Sequence, residues 1–263
     1  MTGCSPFRLE GRVAFVSGAA RHLGRAMATA LAEAGAHVIL NGRGLGALQT
    51  LDAELHGAGF SSECAAFDMG DVDEVRAYFA GRERLDILVN AAVTMAASSF
   101  DSLTAEAFDV TYRTAVTGAF EAVRAARPAL RAAVVAHGDA AVINVASMYG
   151  VVAPRPALYS DPANTSPAHY GPAKAALLQL TRHLAAQLGP EKIRVNALVP
   201  GPFPRAEVQA QDPGFAARLA AGTMLGRLPS PDEIKGPLLF LASPASSFVT
   251  GATLPVDGGW TAW

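Results

Sequence analysis

Cysteine is nearly absent from this chain. Only Cys4 and Cys64 occur in 263 residues, too few for metal-ligand spacing and a poor basis for a disulfide framework. No run of about eighteen apolar residues occurs, which excludes a membrane-spanning helix. The first ten residues, MTGCSPFRLE, hold no apolar stretch of signal-peptide length. An excess of one charge is also missing. The formal net charge is −2, and Lys and Arg are scattered rather than gathered into a basic stripe, which argues against nucleic acid. Internal repeats, low-complexity tracts and interdomain linkers are not found either. These absences leave a cytoplasmic protein, with no membrane or nucleic-acid partner, long enough to bury a full core. Residues 1–263 are read as one domain.

What is present is alternation. Short, nearly continuous apolar runs fall at 12–17, 36–41, 63–67, 85–90, 140–146 and 193–199. Such runs suit strands covered on both faces. Ala- and Leu-rich periodic segments at 23–34, 44–57, 72–80, 104–127, 170–188 and 231–242 are expected helices. Repeated strand–helix units imply right-handed crossovers and an α/β doubly wound, mostly parallel sheet. A last strand at 252–256 makes it seven-stranded and adds to an edge. Two stretches, 150–169 and 200–215, read as long irregular loops. Loops of that length in a compact domain are usually functional or disordered. Both follow strands, so both are expected at the carboxyl edge of the sheet, where ligands bind in such folds.

The first strand runs into SGAARHLGRAMA. Gly18 and Gly24 bracket a turn that opens a helix, so backbone N–H groups can face a pyrophosphate. Further on, Ser147 follows the fifth strand, and Tyr170 and Lys174 stand four apart in AHYGPAK, on one face of a helix.

This set resembles the short-chain dehydrogenase/reductase family, whose cofactor motif is Thr-Gly-x-x-x-Gly-x-Gly, with Ser17 in the Thr place and His22 where the middle glycine falls. The resemblance covers essentially the whole chain and implies a single-domain Rossmann fold. The phrases SMYG, AKAALLQLTRHLA, PGPFP and VDGGWTAW look like a subgroup often labelled gluconate-5-dehydrogenase-like or glycan-modification reductases.

The resemblance implies that Ser17, Gly18, Arg21, His22, Leu23 and Gly24 bind the cofactor. The second strand ends LNGRG, with no Asp or Glu for a ribose hydroxyl. Arg43, with Arg21, suits a 2′-phosphate by its planar donor set, so NADP(H) is the expected cofactor. Asp68 sits where relatives hold the adenine amino group, and Met69 follows it. Asn90 and Ala92 keep two places of the usual Asn-Asn-Ala-Gly, whereas Ala91 and Val93 are substitutions. Pro200, Gly201 and Phe203 belong to the segment after the sixth strand. Relatives have a threonine there on the nicotinamide amide. Pro204 lies near that place and cannot donate, so backbone from Val199 to Phe203 is left to orient the ring.

Ser147, Tyr170 and Lys174 are the implied catalytic residues of a ketone–alcohol oxidoreductase. A phenol titrates near pH ~10, and a neighbouring ammonium lowers that value. Lys174 would supply the charge and bind the nicotinamide ribose, while Ser147 would donate to the substrate oxygen. Relatives hold a relay water with a helix-four asparagine, and Ala115 occupies its place. Three outcomes are open: Thr111 or Thr114 with a displaced water takes over, relay is slower, or the chain binds cofactor without turnover. Ser166-Pro167 looks like a helix start, yet Pro172 places the regular start near His169 or Tyr170. A bent first turn would reconcile them.

The substrate is expected to be a small polar carbonyl or alcohol, sugar-like or a keto acid. The alternatives are a 3-oxoacyl thioester and a non-catalytic regulator. Arg155, Tyr159, Asp161, Asn164 and Thr165 either contact that substrate or keep a loop solvated, and Arg205 is a candidate for an acidic group. Trp260 and Trp263 are expected to pack at a subunit contact or close a neighbour's site, in a homotetramer or dimer.

Overall fold

The computed structural model describes residues 6–95, 99–161 and 165–263. Cys4 and Asn164 lie outside the described residues. Chain order is β1 (Val13–Val16), α1 (His22–Glu33), β2 (His37–Gly42), α2 (Leu45–Gly57), β3 (Ser62–Ala66), α3 (Val72–Ala80) and β4 (Ile87–Asn90). There follow α4 (Ala105–Tyr112), a π-helical turn (Arg113–Thr117), α5 (Gly118–His137), β5 (Ala140–Val145), α6 (Tyr170–Leu188) and β6 (Ile193–Pro200). The chain closes with α7 (Ala206–Gln211), α8 (Pro213–Ala221), α9 (Lys235–Ala242) and β7 (Thr253–Val256).

The strands form one seven-stranded sheet in the order β3-β2-β1-β4-β5-β6-β7. Every pairing is parallel, β7 on β6 included, where a mostly parallel sheet was expected. Side chains alternate across a strand, and both faces are used. Ala14, Val16, Val38, Leu40, Ile87 and Val89 join α1, α2 and α9 in one core layer. Phe15, Ile39, Leu88 and Val142 join α3, α5 and α6 in the other. Burial on both faces is why the strands read as continuous apolar runs. Strand order reverses between β1 and β4, which opens a crevice at their carboxyl ends.

Two expectations about helices need correction. The helix expected to end at residue 127 runs on as α5 to His137, through Pro128, and stops at Gly138 with φ 87°. An interior proline costs about 3 kcal/mol, but Pro128 faces solvent while Ala129, Leu130 and Ala133 carry the buried face onward. The stretch 200–215 is only partly irregular, because α7 and α8 occupy much of 206–221. Asp212 caps α8 by accepting from Phe215 N at 2.7 Å, with Pro213 in the first turn. Asp-Pro at a helix start is a legible signal.

Candidate active site

A cleft of about 620 Å³ runs along the carboxyl ends of the strands, from Arg43 beyond β2 to Tyr170 and Phe203. Of the cofactor and catalytic residues expected from sequence, all line it except Ser17 and Asn90. Those two form the wall behind. Ser17 Oγ donates to Val89 O at 3.2 Å and accepts from Ala91 N and Ala92 N at 2.9 and 3.0 Å. Asn90 Nδ2 donates to Asn144 Oδ1 at 2.9 Å, and Asn144 Nδ2 donates to Thr181 Oγ1 at 2.9 Å. They pin the segment after β4 to the glycine loop and to α6.

No side chain caps α1, whose N-cap residue is Arg21. The N–H groups of its first turn are therefore left to an anion. Gly24 is required by packing, since a Cβ there would stand 2.0 Å from Gly18 O. His22 takes the left-handed backbone of the glycine it replaces, with φ 49°, a conformation that costs a side-chain-bearing residue about 1 kcal/mol. Its Nε2 donates to Phe203 O at 2.8 Å. At the phosphate end, Arg21 and Arg43 line the cleft. Arg43 stands 3.8 Å from Asp68, whose Oδ1 accepts from Gly70 N at 2.8 Å.

At the other end Ser147, Tyr170 and Lys174 line the cleft together. Burial pushes the Tyr170 phenol above its ordinary value, and the Ser147 side chain opposes that rise. Lys174 is buried, at 2 % exposure, and donates to Val145 O at 2.6 Å. Burial pulls its ammonium down to about 8. Its Nζ lies 5.8 Å from the Tyr170 ring centroid. Burial and Ser147 are what move the phenol here, and Lys174 is not among the causes.

The start of α6 lies at Tyr170, as the proline at 172 implied. Tyr170 N donates to Pro167 O at 3.0 Å in a preceding turn, and regular helix begins at Tyr170. Ser166-Pro167 therefore sits before the helix, and Pro172 is tolerated in its first turn.

Ala115 is buried in the π-helical turn, a distortion frequent at functional sites. The two candidate threonines are committed to protein acceptors. Thr111 donates to Thr94 O at 2.8 Å and Thr114 to Val110 O at 3.1 Å. Sequence reasoning missed His169, fully buried next to Tyr170. With the Thr111 hydrogen spent on Thr94, His169 Nδ1 is the donor of its 3.1 Å bond to Thr111 Oγ1. It also missed Thr94 and Met95, which line the cleft.

The loop after β5 packs onto α8 and the C-terminus. Tyr159 shares a 2.9 Å hydrogen bond with Tyr149 and packs on Phe215 at 5.2 Å. Ser160 donates to Asp212 at 2.9 Å, and Arg218 donates to Leu158 O at 2.6 Å. Arg155 lies 5.1 Å over the ring of Trp260. Trp260 is corrected from a subunit contact: it is 1 % exposed inside its own chain, where a Cβ on Gly222 would meet its ring at 2.3 Å. Trp263 is 65 % exposed.

The sequence matches the family model described as enoyl-(acyl carrier protein) reductase over residues 18–261. The chain belongs to the short-chain dehydrogenase/reductase family. It is 37 % identical over 263 residues to galactitol 2-dehydrogenase (L-tagatose-forming) of Cereibacter sphaeroides, covering 98 % of each chain. It is 34 % identical over 265 residues to the rhamnolipids biosynthesis 3-oxoacyl-[acyl-carrier-protein] reductase of Pseudomonas aeruginosa, covering 97 % of this chain and 98 % of that one. Among solved structures, a gluconate 5-dehydrogenase from Burkholderia cenocepacia in complex with NADP and tartrate superposes with a TM-score of 0.86 at 32 % identity, covering 98 % of both chains. No helix among the described residues is long and apolar enough to cross a membrane.

Proposed function

We propose that this short-chain dehydrogenase/reductase is an NADP(H)-dependent oxidoreductase that interconverts a ketone and a secondary alcohol on a small polar substrate, sugar-like or a keto acid. One observation carries the reading: Ser147, Tyr170 and Lys174 line the same cleft as the glycine loop, with Lys174 one helical turn beyond Tyr170. The chain's own groups fit a dinucleotide. The uncapped first turn of α1 suits the diphosphate, and Arg43 and Arg21 suit a 2′-phosphate. Asp68 and Met69 stand at the adenine end, and Pro200 to Phe203 at the nicotinamide end. The cofactor supplies or accepts the hydride at its nicotinamide ring.

The protein's part is the proton and the developing charge. Tyr170, with its phenol raised by burial, is protonated at neutral pH, the form needed to give a proton to a ketone oxygen. Ser147 donates to the same oxygen as it becomes alkoxide-like. Lys174 positions the ribose. The reverse reaction needs phenolate and is favoured by rising pH.

The reading is tested by NADPH consumption against keto acids, ketoses and a 3-oxoacyl thioester, with Tyr170→Phe alongside. Tyr170-dependent turnover of a keto acid or ketose supports it. Turnover of the thioester alone favours the second reading, that of an acyl-thioester reductase, which rests on the Pseudomonas relative. Tight NADPH binding without turnover anywhere favours a regulator.

A homotetramer or dimer is part of the same proposal. Trp263 and Phe248 are apolar and exposed, and a subunit contact would cover them. A monomer at all concentrations in size-exclusion chromatography overturns it.

A further inference from the structure

β1 and β6 stand three places apart in the sheet, about 14 Å at ordinary strand spacing. The loops that leave their carboxyl ends nevertheless touch, through His22 Nε2 and Phe203 O at 2.8 Å. The contact therefore passes over the ends of β4 and β5, which stand between. Both residues line the cleft. Ala91 and Ala92 after β4, and Ala146 and Ser147 after β5, line the same cleft. A dinucleotide reaching from Arg43 to Tyr170 would run along the cleft that this contact borders.

His22 is costly where it stands. A glycine makes the same left-handed turn without strain, so the side chain's contact must offset what φ 49° costs. The segment that the ring holds has few other anchors toward β1. α7 buries none of its residues, and Gln209 Nε2 donates only to Pro204 O of the same segment, at 2.9 Å.

We propose that His22 is a cofactor-retaining residue. Its ring is a beam that ties the glycine loop to the post-β6 loop, and a bound dinucleotide leaves after the Nε2–Phe203 bond opens. The inference rests on the NADP(H) reading above and adds to it a determinant of cofactor residence time. His22 acts here through the position of Phe203 and its loop.

The experiment compares the wild-type protein with His22→Gly and His22→Gln. NADPH release is followed by stopped-flow fluorescence on displacement with excess NADP⁺. Amide hydrogen exchange over residues 203–211 is measured with no cofactor added. Glycine accepts the turn but removes the beam, so release should quicken roughly three- to tenfold, the range of one net hydrogen bond. Exchange over the segment should rise, while the melting temperature holds or increases. Glutamine keeps an N–H donor at similar reach and should return both readouts to within about twofold of wild type. Wild-type release from His22→Gly overturns the inference. So does faster release accompanied by a lower melting temperature, which is general loosening. Failure of the wild-type protein to bind NADPH overturns the cofactor reading and this one with it, whereas binding with an unchanged release rate overturns this one alone.

Discussion

Lys174 Nζ donates to Val145 O at 2.6 Å, so the ammonium is held by the last residue of β5, two places before Ser147. Burial lowers its pKa from an ordinary 10.5 to about 8. Between those values the unfolded chain binds a proton that the folded one does not. Stability therefore rises with pH across this window, and the cost of the buried charge is greatest below about 8.

Lys174→Met should accordingly stabilise the protein at pH 7, by roughly 1–3 kcal/mol, and abolish activity. The gain should shrink as pH is raised through 8 toward 10.5. Denaturant melts at pH 7 and pH 9.5 check the sign. A variant less stable at pH 7 than at pH 9.5, relative to wild type, contradicts it.

Tyr170→Phe removes the phenol oxygen. Turnover should fall by about 10²–10⁴-fold, the usual worth of a general acid, with NADPH affinity little changed. Steady-state kinetics and fluorescence titration of the same preparation separate the two.

Arg43→Ala tests the phosphate end. Arg43 is exposed and 3.8 Å from Asp68, so its loss leaves little buried charge behind. A charged hydrogen bond contributes about 1.5–3 kcal/mol, and NADPH should bind roughly 10- to 100-fold more weakly while NADH is scarcely affected. Equal losses for both cofactors would remove Arg43 from 2′-phosphate recognition.

Ala115→Asn tests the relay. Thr111 and Thr114 donate to Thr94 O and Val110 O, so neither hydroxyl hydrogen is spare. If proton transfer limits the rate, the substitution raises kcat and lowers the solvent isotope effect on it. Ala115 is buried in the π-helical turn, so a folding control by melting temperature accompanies the kinetics. We expect a rise in kcat of several-fold, and an unchanged kcat in a folded variant assigns the limit to another step.

The sequence by itself determined what depends on local rules. Continuous β-branched runs made strands because both faces would be buried, and six of the seven began within a residue of where they were expected. Ser147, Tyr170 and Lys174 were legible because order along the chain and helical spacing bring them to one edge. Asp212-Pro213 was legible too, though it was passed over as loop. Tertiary structure decided the rest. Pro128 sits inside α5 because the buried face continues past it. Trp260 turned inward because Gly222 leaves room for its ring. Asn90 and Ser17 moved behind the cleft because their hydrogen-bond partners come from β4, β5 and the next segment. Burial raises the Tyr170 phenol, since desolvation depends on everything packed around it. His22 is the clearest case. Sequence marked it only as a departure from glycine, and only the meeting of two loops 181 residues apart gave its ring a partner.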